Sequence, residues 1–123
     1  MSPIQIFALA LLLLFVVLRV RKMIASKGIP NYSAAEVNSK MKDKNVVLLD
    51  VRTDFERKNR HIKGSLHIPL NEIGSRAAEL DKHKSREIIC YCQSGSRSNS
   101  AAIKLKQLGF QSANMIGGMS AWQ

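Results

Sequence analysis

Cysteine is scarce in this chain: only two occur among 123 residues, Cys90 and Cys92, in a C-x-C arrangement. Such a pair makes no disulfide framework, and the scarcity suits a reducing compartment where a free thiol can work. Acid is thin as well, nine Asp and Glu against nineteen Lys and Arg, and aromatic residues make up only 6%. The resulting net charge of +10 raises nucleic acid as a partner. No basic stripe with interleaved aromatics occurs, however, so no nucleic-acid binding is expected. The three histidines, His61, His67 and His83, have no second cluster of ligands beside them. They read as structural or surface residues, and neither a metal nor a cofactor is expected. The pair Gly117-Gly118 lacks the GK[ST] or G-x-G-x-x-G surroundings of a phosphate loop and reads as a tight turn before Trp122.

Charge is missing altogether from the side chains of Met1 to Leu18, and Ile4 to Leu18 is apolar apart from Gln5. As helix that run spans about 23 Å at about 1.5 Å per residue, short against a hydrocarbon core of roughly 30 Å. Including Met1 to Pro3, with Arg19 and Arg21 snorkelling, brings the length close to a full span. A cleaved signal peptide is the main competitor. It wants positive charge before its apolar run, whereas Arg19, Arg21, Lys22 and Lys27 all follow it, with no convincing small-x-small cleavage site. The expectation is a single-pass membrane anchor with the N-terminus outside and the domain cytoplasmic, at a bacterial inner membrane. The remaining cations are dispersed among the acids, as on a solvated basic surface resting on anionic lipid.

The rest of the chain allows one compact domain. The division expected is 1–24 anchor with basic flank, 25–31 linker, where Gly28 and Pro30 interrupt helix, and 32–123 domain. Ser33-Ala34-Ala35-Glu36 has the form of a capping box opening a helix to about Met41. Val46 to Leu49 reads as a strand buried on both faces, followed by a short helix near Asp54 to Lys58 and a strand near Ser65 to Ile68. A helix near Asn71 to Leu80 and a strand from Ile88 to Tyr91 come next. Ala101, Leu105 and Leu108 then fall at i, i+4 and i+7, giving a helix from Ser98 that Gly109 terminates, and Asn114 to Ile116 is the last strand. This alternation predicts an α/β fold, a parallel sheet covered by helices on both faces, with ligands beyond the strand C-termini.

Cys92 lies at such an end. The run Ile88-Ile89-Cys90-Tyr91 delivers it into Gln93-Ser94-Gly95-Ser96-Arg97, a small polar loop that opens a helix. Loop N–H groups, the positive end of the helix dipole and Arg97 all favour a thiolate there. Taken alone, a cysteine after an apolar strand is a buried hydrophobe more often than a nucleophile. The loop reverses that for Cys92, whereas Cys90, in mid-strand, reads as core. Arg97 reads as an anion ligand, because a cation at a helix N-terminus is unfavourable unless an anion requires it.

This loop resembles the active-site loop of rhodanese-like sulfurtransferases, and so does nearly everything from Tyr32 to Trp122. Leu48-Leu49-Asp50-Val51-Arg52 with Phe55-Glu56 is similar to that family's early strand and D-V-R signature. His61-Ile62-Lys63-Gly64-Ser65-Leu66-His67-Ile68-Pro69 is similar to its H-I-x-G-A-x-x-I-P segment, and Leu108-Gly109-Phe110 and Gly117-Gly118-Met119-Ser120-Ala121-Trp122 to its closing motifs. The C-x4-R spacing of Cys92 and Arg97 resembles the sulfurtransferase ring rather than the C-x5-R of a related phosphatase class. The resemblance implies a rhodanese-like sheet and a Cys92 persulfide formed from a small sulfur donor such as thiosulfate, stabilised by Arg97 and the N–H groups of residues 93 to 97. A thiol or cyanide then accepts the sulfur. Asp50, Arg52 and Glu56 would be a supporting ion-pair network. Gln93 and Ser94 stand where some thiosulfate-using members carry a cation. Rival expectations are a tethered sulfur carrier or docking module that hands sulfur to a protein acceptor, and a phosphatase or arsenate reductase using the same loop.

Overall fold

The computed structural model describes residues 1–123, with the side chains of residues 25–27 left aside. Five parallel strands, β1 (Asn31–Tyr32), β2 (Val46–Asp50), β3 (Leu66–His67), β4 (Glu87–Tyr91) and β5 (Gln111–Met115), form one sheet in the order β1-β5-β4-β2-β3. Helices α2 (Ala34–Lys40), α3 (Asp54–Asn59), α4 (Ile73–Arg76), α5 (Ser96–Gln107) and α6 (Gly118–Ala121) connect and cover it. This is the expected α/β architecture.

The side-chain period of two along β4 divides the core. Ile88, Cys90 and Cys92 face a cluster with Leu49, Val51, Ile73, Leu80 and Leu105, whereas Ile89 and Tyr91 face Leu48, Val37, Ala113, Met115 and Met119. A strand with apolar partners on both sides must sit in the middle of a sheet covered on both faces, and β4 does. The chain leaves β2 toward the β3 edge and leaves β4 toward β5. The adjacent C-terminal ends of β2 and β4 therefore form the switch point where an open α/β sheet leaves a crevice.

The N-terminal helix, α1 (Pro3–Lys27), is longer than its apolar run and reaches three residues into the expected linker. Its stretch Pro3–Ile24 is long and apolar enough to cross a membrane, about 33 Å at about 1.5 Å per residue, and none of it is buried against the domain. Asn31, placed in the expected linker, opens a strand with Tyr32: the Asn114 N–H donates to the Pro30 carbonyl at 2.9 Å and the Ile116 N–H to the Tyr32 carbonyl at 2.8 Å.

Ser33 caps α2 with the expected box, and a second box, Thr53 with Glu56, opens α3. The helix expected at Asn71 to Leu80 is broken into a 3-10 turn (Leu70–Glu72), the single α turn of α4 and a further 3-10 stretch (Ala77–His83). Gly74 weakens regular helix there, and the tighter turns bring Ile73, Ala77 and Leu80 onto the core. The last strand begins three residues earlier than expected. Gly118 is not merely in a turn but starts α6.

Candidate active site

β4 ends at Tyr91, and the next residue turns its side chain into the bowl made by the start of α5. Gly95 is the N-cap of α5 at φ 107°, a conformation costly for any residue with a Cβ, and this lets its N–H point back at the Cys92 Sγ, 3.1 Å away. The Ser98 hydroxyl approaches the same sulfur at 3.4 Å from the first turn of the helix. Burial opposes a thiolate here and is the largest single effect. The Ser98 hydroxyl together with the N–H groups of Ser98, Gly95 and Ser94 outweighs it, so the Cys92 thiol titrates below its ordinary value. Cys90 shows the contrast: it has no exposed surface, gains no such donors, and its thiol is pushed far up by burial.

The loop is held from behind by α6. The Met119 N–H donates to the Cys92 carbonyl at 2.8 Å and the Ser120 N–H to the Gln93 carbonyl at 3.1 Å. A Cβ on Gly118 would collide with the Cys92 carbonyl, so only glycine allows this approach. That gives the G-G pair its structural meaning.

Arg97 is engaged by a carboxylate of the same chain. Its guanidinium lies on Glu56, Nη1 to Oε1 at 2.6 Å and Nη2 to Oε2 at 2.8 Å, and this fork holds the Glu56 carboxyl down to about 2. Glu56 joins the loop through this fork, and its charge still reaches Arg52 of the Asp50 cluster. Asp50 is wholly buried and accepts from Arg52 Nε at 3.0 Å, Arg52 Nη2 at 3.0 Å, Arg57 Nη1 at 3.4 Å and the Tyr91 hydroxyl at 3.1 Å. That cluster ties the end of β2 to the end of β4 and makes no contact with the sulfur. Gln93, Ser94 and Ser96 are exposed at the loop surface. Beside Arg97 a cleft of about 390 Å3 is lined by Val51, Thr53, Pro69, Leu70 and Asn71.

Sequence reasoning missed Ser98 as a donor and Asn114 as its neighbour. Ser98 Oγ lies 2.6 Å from Asn114 Oδ1, across from α5 on β5. A buried serine in the first turn of the helix after a nucleophile was the available signal for the first; Asn114 had none. Among the described residues no group of three or more His, Cys, Asp or Glu side chains comes together as a metal site. His61 and His67 bond to the carbonyls of Arg57 and Arg52, and His83 lines a separate hollow with Met41, Leu66 and Arg86.

The family model for the rhodanese-like domain matches residues 33–123. The chain belongs to that family. Its relatives include a candidate sulfur carrier protein of Bacillus subtilis, YrkF, 38% identical over 99 residues, which are 79% of this chain and 52% of YrkF. The chain thus spans about half the length of that relative. A candidate sulfurtransferase of the same organism, YtwF, is 35% identical over 96 residues, 77% of this chain and 91% of YtwF. Among solved structures, a rhodanese-like domain protein from Staphylococcus aureus superposes with a TM-score of 0.71 at 28% identity, over 77% of this chain and 92% of that one. The rhodanese-like domain of this chain thus carries its cysteine loop at the switch point of the sheet, with the sulfur inside a ring of donors.

Proposed function

We propose that this rhodanese-like domain moves sulfane sulfur, with Cys92 as the atom that carries it. The observation that carries this reading is the environment of the Cys92 sulfur, a thiol made acidic by backbone and hydroxyl donors at the start of α5. In the first half-reaction the Cys92 thiolate attacks the outer sulfur of thiosulfate. The sulfur–sulfur bond of the donor breaks, sulfite departs with the electron pair, and a Cys92 persulfide anion remains. In the second, cyanide or a cellular thiolate attacks the outer sulfur, takes it as thiocyanate or a new persulfide, and returns the thiolate. The donors around Cys92 stabilise the negative charge in both states.

Cys92 has no exposed surface in the resting chain. The donor therefore enters as the loop side chains shift. The helix Pro3–Ile24 serves as a single-pass anchor, with Arg19, Arg21 and Lys22 on the inner face and the domain cytoplasmic. A second reading, a sulfur carrier that discharges only to a protein, is favoured by the same closure of the sulfur and by the name of YrkF.

The test is the intact mass of the full chain in detergent after incubation with thiosulfate, beside Cys92→Ser. One added sulfur atom, removed by cyanide and absent from the variant, supports the enzyme. A persulfide that resists cyanide and small thiols supports the carrier, and no added sulfur from any sulfane donor refutes both.

A further inference from the structure

The geometry points to Asn114 as a positioning residue for the Cys92 thiolate, acting through the Ser98 hydroxyl; this deepens the reading of Cys92 as the working sulfur. Ser98 Oγ sits between two acceptors, Asn114 Oδ1 at 2.6 Å and Cys92 Sγ at 3.4 Å, and all three residues are buried. A hydroxyl has one proton to donate and two lone pairs with which to accept. While the sulfur is a neutral thiol, the proton belongs to the short contact with the amide oxygen and the S–H can donate to Ser98. Once the sulfur is charged it claims that proton, and the amide oxygen would be left facing Ser98 with no donor.

The amide resolves the conflict by turning over. Its oxygen and nitrogen ends have nearly the same shape, and rotation about its last torsion is soft. With Nδ2 toward Ser98, the amide donates to the hydroxyl oxygen and the hydroxyl donates to sulfur. The far end of the amide meets Asn31, where Asn114 Nδ2 and Asn31 Oδ1 are 3.2 Å apart. Asn31 is exposed and can present either end, so the turn strands no group. The ionised sulfur thus stands at the end of one directional row of donors, Asn31 to Asn114 to Ser98 to Cys92. The backbone keeps the row in place: Asn114 is in register with Cys90 on β4, and its N–H is held by the Pro30 carbonyl.

The charged groups around this row are few. The Arg97–Glu56 pair lies on the α5 and α3 side, Asp50 beyond it is engaged by Arg52 and Arg57, β4 carries Cys90, Tyr91 and Glu87, and Tyr32 on β1 donates to Glu87. β5 and α6 carry no titratable side chain. A change at Asn114 therefore alters hydrogen bonding at the sulfur without altering charge.

The experiment is the pH profile of iodoacetamide alkylation at Cys92, located by peptide mass, in the full chain in detergent. Asn114→Ala raises the midpoint by about half to one pH unit, a three- to tenfold loss of thiolate at fixed pH below it. Asn114→Leu, which fills the space without donating, does the same and carries the measurement if the alanine variant does not fold. In a Ser98→Ala background the Asn114 change has no effect on the midpoint. A midpoint that stays or falls in the Asn114 variants, or an Asn114 effect that survives loss of Ser98, overturns the proposal. Alkylation needs no sulfur donor. Absence of a persulfide in the parent chain would thus count against sulfur transfer alone, and an unshifted midpoint in a chain that loads sulfur would count against Asn114 alone.

Discussion

Replacing Glu56 by Gln separates charge from shape at the mouth of the site. Glu56 has two duties: it closes the capping box of α3 with Thr53, and it receives the Arg97 fork. Glutamine at the third position of a capping box keeps the first duty and abolishes the charge of the second. A carboxyl held at about 2 against an ordinary 4.5 favours its ionised form by about 3 kcal/mol at 1.36 kcal/mol per pH unit. The side chains are 38% and 27% exposed, so solvent screening reduces the stabilisation to about 1 kcal/mol. Because the folded-state pKa is depressed, that stabilisation is complete above pH 4.5 and disappears as the pH falls toward about 2. Urea unfolding of the full chain in detergent, followed by Trp122, the only tryptophan, reads it directly. The parent should exceed Glu56→Gln by about 1 kcal/mol at pH 7, and the two should converge only as the pH falls through about 2. A gap that persists unchanged in acid would refute the assignment of the depressed pKa to the Arg97 fork.

Tyr91→Phe removes a hydroxyl that serves the Ile62 N–H at 3.1 Å, Ser65 Oγ at 2.9 Å and Asp50 at 3.1 Å, all buried. It should cost about 2–3 kcal/mol, and a melt indistinguishable from the parent would show that those groups find other partners. Gly118→Ala and Gly64→Ala both force a side chain into positive φ, but only Gly118 has the Cys92 carbonyl in the way, whereas Gly64 has open space. Thermal melts should place the Gly64 variant about 1–2 kcal/mol below the parent and the Gly118 variant well below that. Equal losses would mean that close approach to the loop is not what requires glycine at 118.

Where burial and secondary structure followed from apolar spacing, the fold could be read in advance. The doubly buried β2 and β4, the Ser33 cap and the end of α5 at Gly109 all have local chemical causes that lie within a few residues of one another. β1 and β5 were legible only in part, because Asn31, Gln111, Ser112 and Asn114 are polar. They enter the sheet because distant groups satisfy them, as when the Ser112 hydroxyl donates to the Ala102 carbonyl. The site divides in the same way. Cys92 and the loop Gly95 announce themselves by sequence, while the Arg97–Glu56 fork joins residues 41 positions apart and Ser98–Asn114 joins two elements across the core. For Arg97 the dipole rule asks for an anion nearby, and the anion in contact with it is a carboxylate of the same chain, supplied from a distant element.

The two-residue strand β1 has a mechanical consequence. It joins α1 to the domain at the edge of the sheet and is held to β5 at the Pro30 and Tyr32 carbonyls. Force applied along the N-terminal helix passes its contacts with α5 and the buried Ile29 and then reaches this short seam, whose partner is Asn114, two contacts from the sulfur. Peeling β1 would withdraw Asn31 from the amide and expose Asn114 to water. The seam that joins the N-terminal helix to the sheet thus lies two contacts from the sulfur.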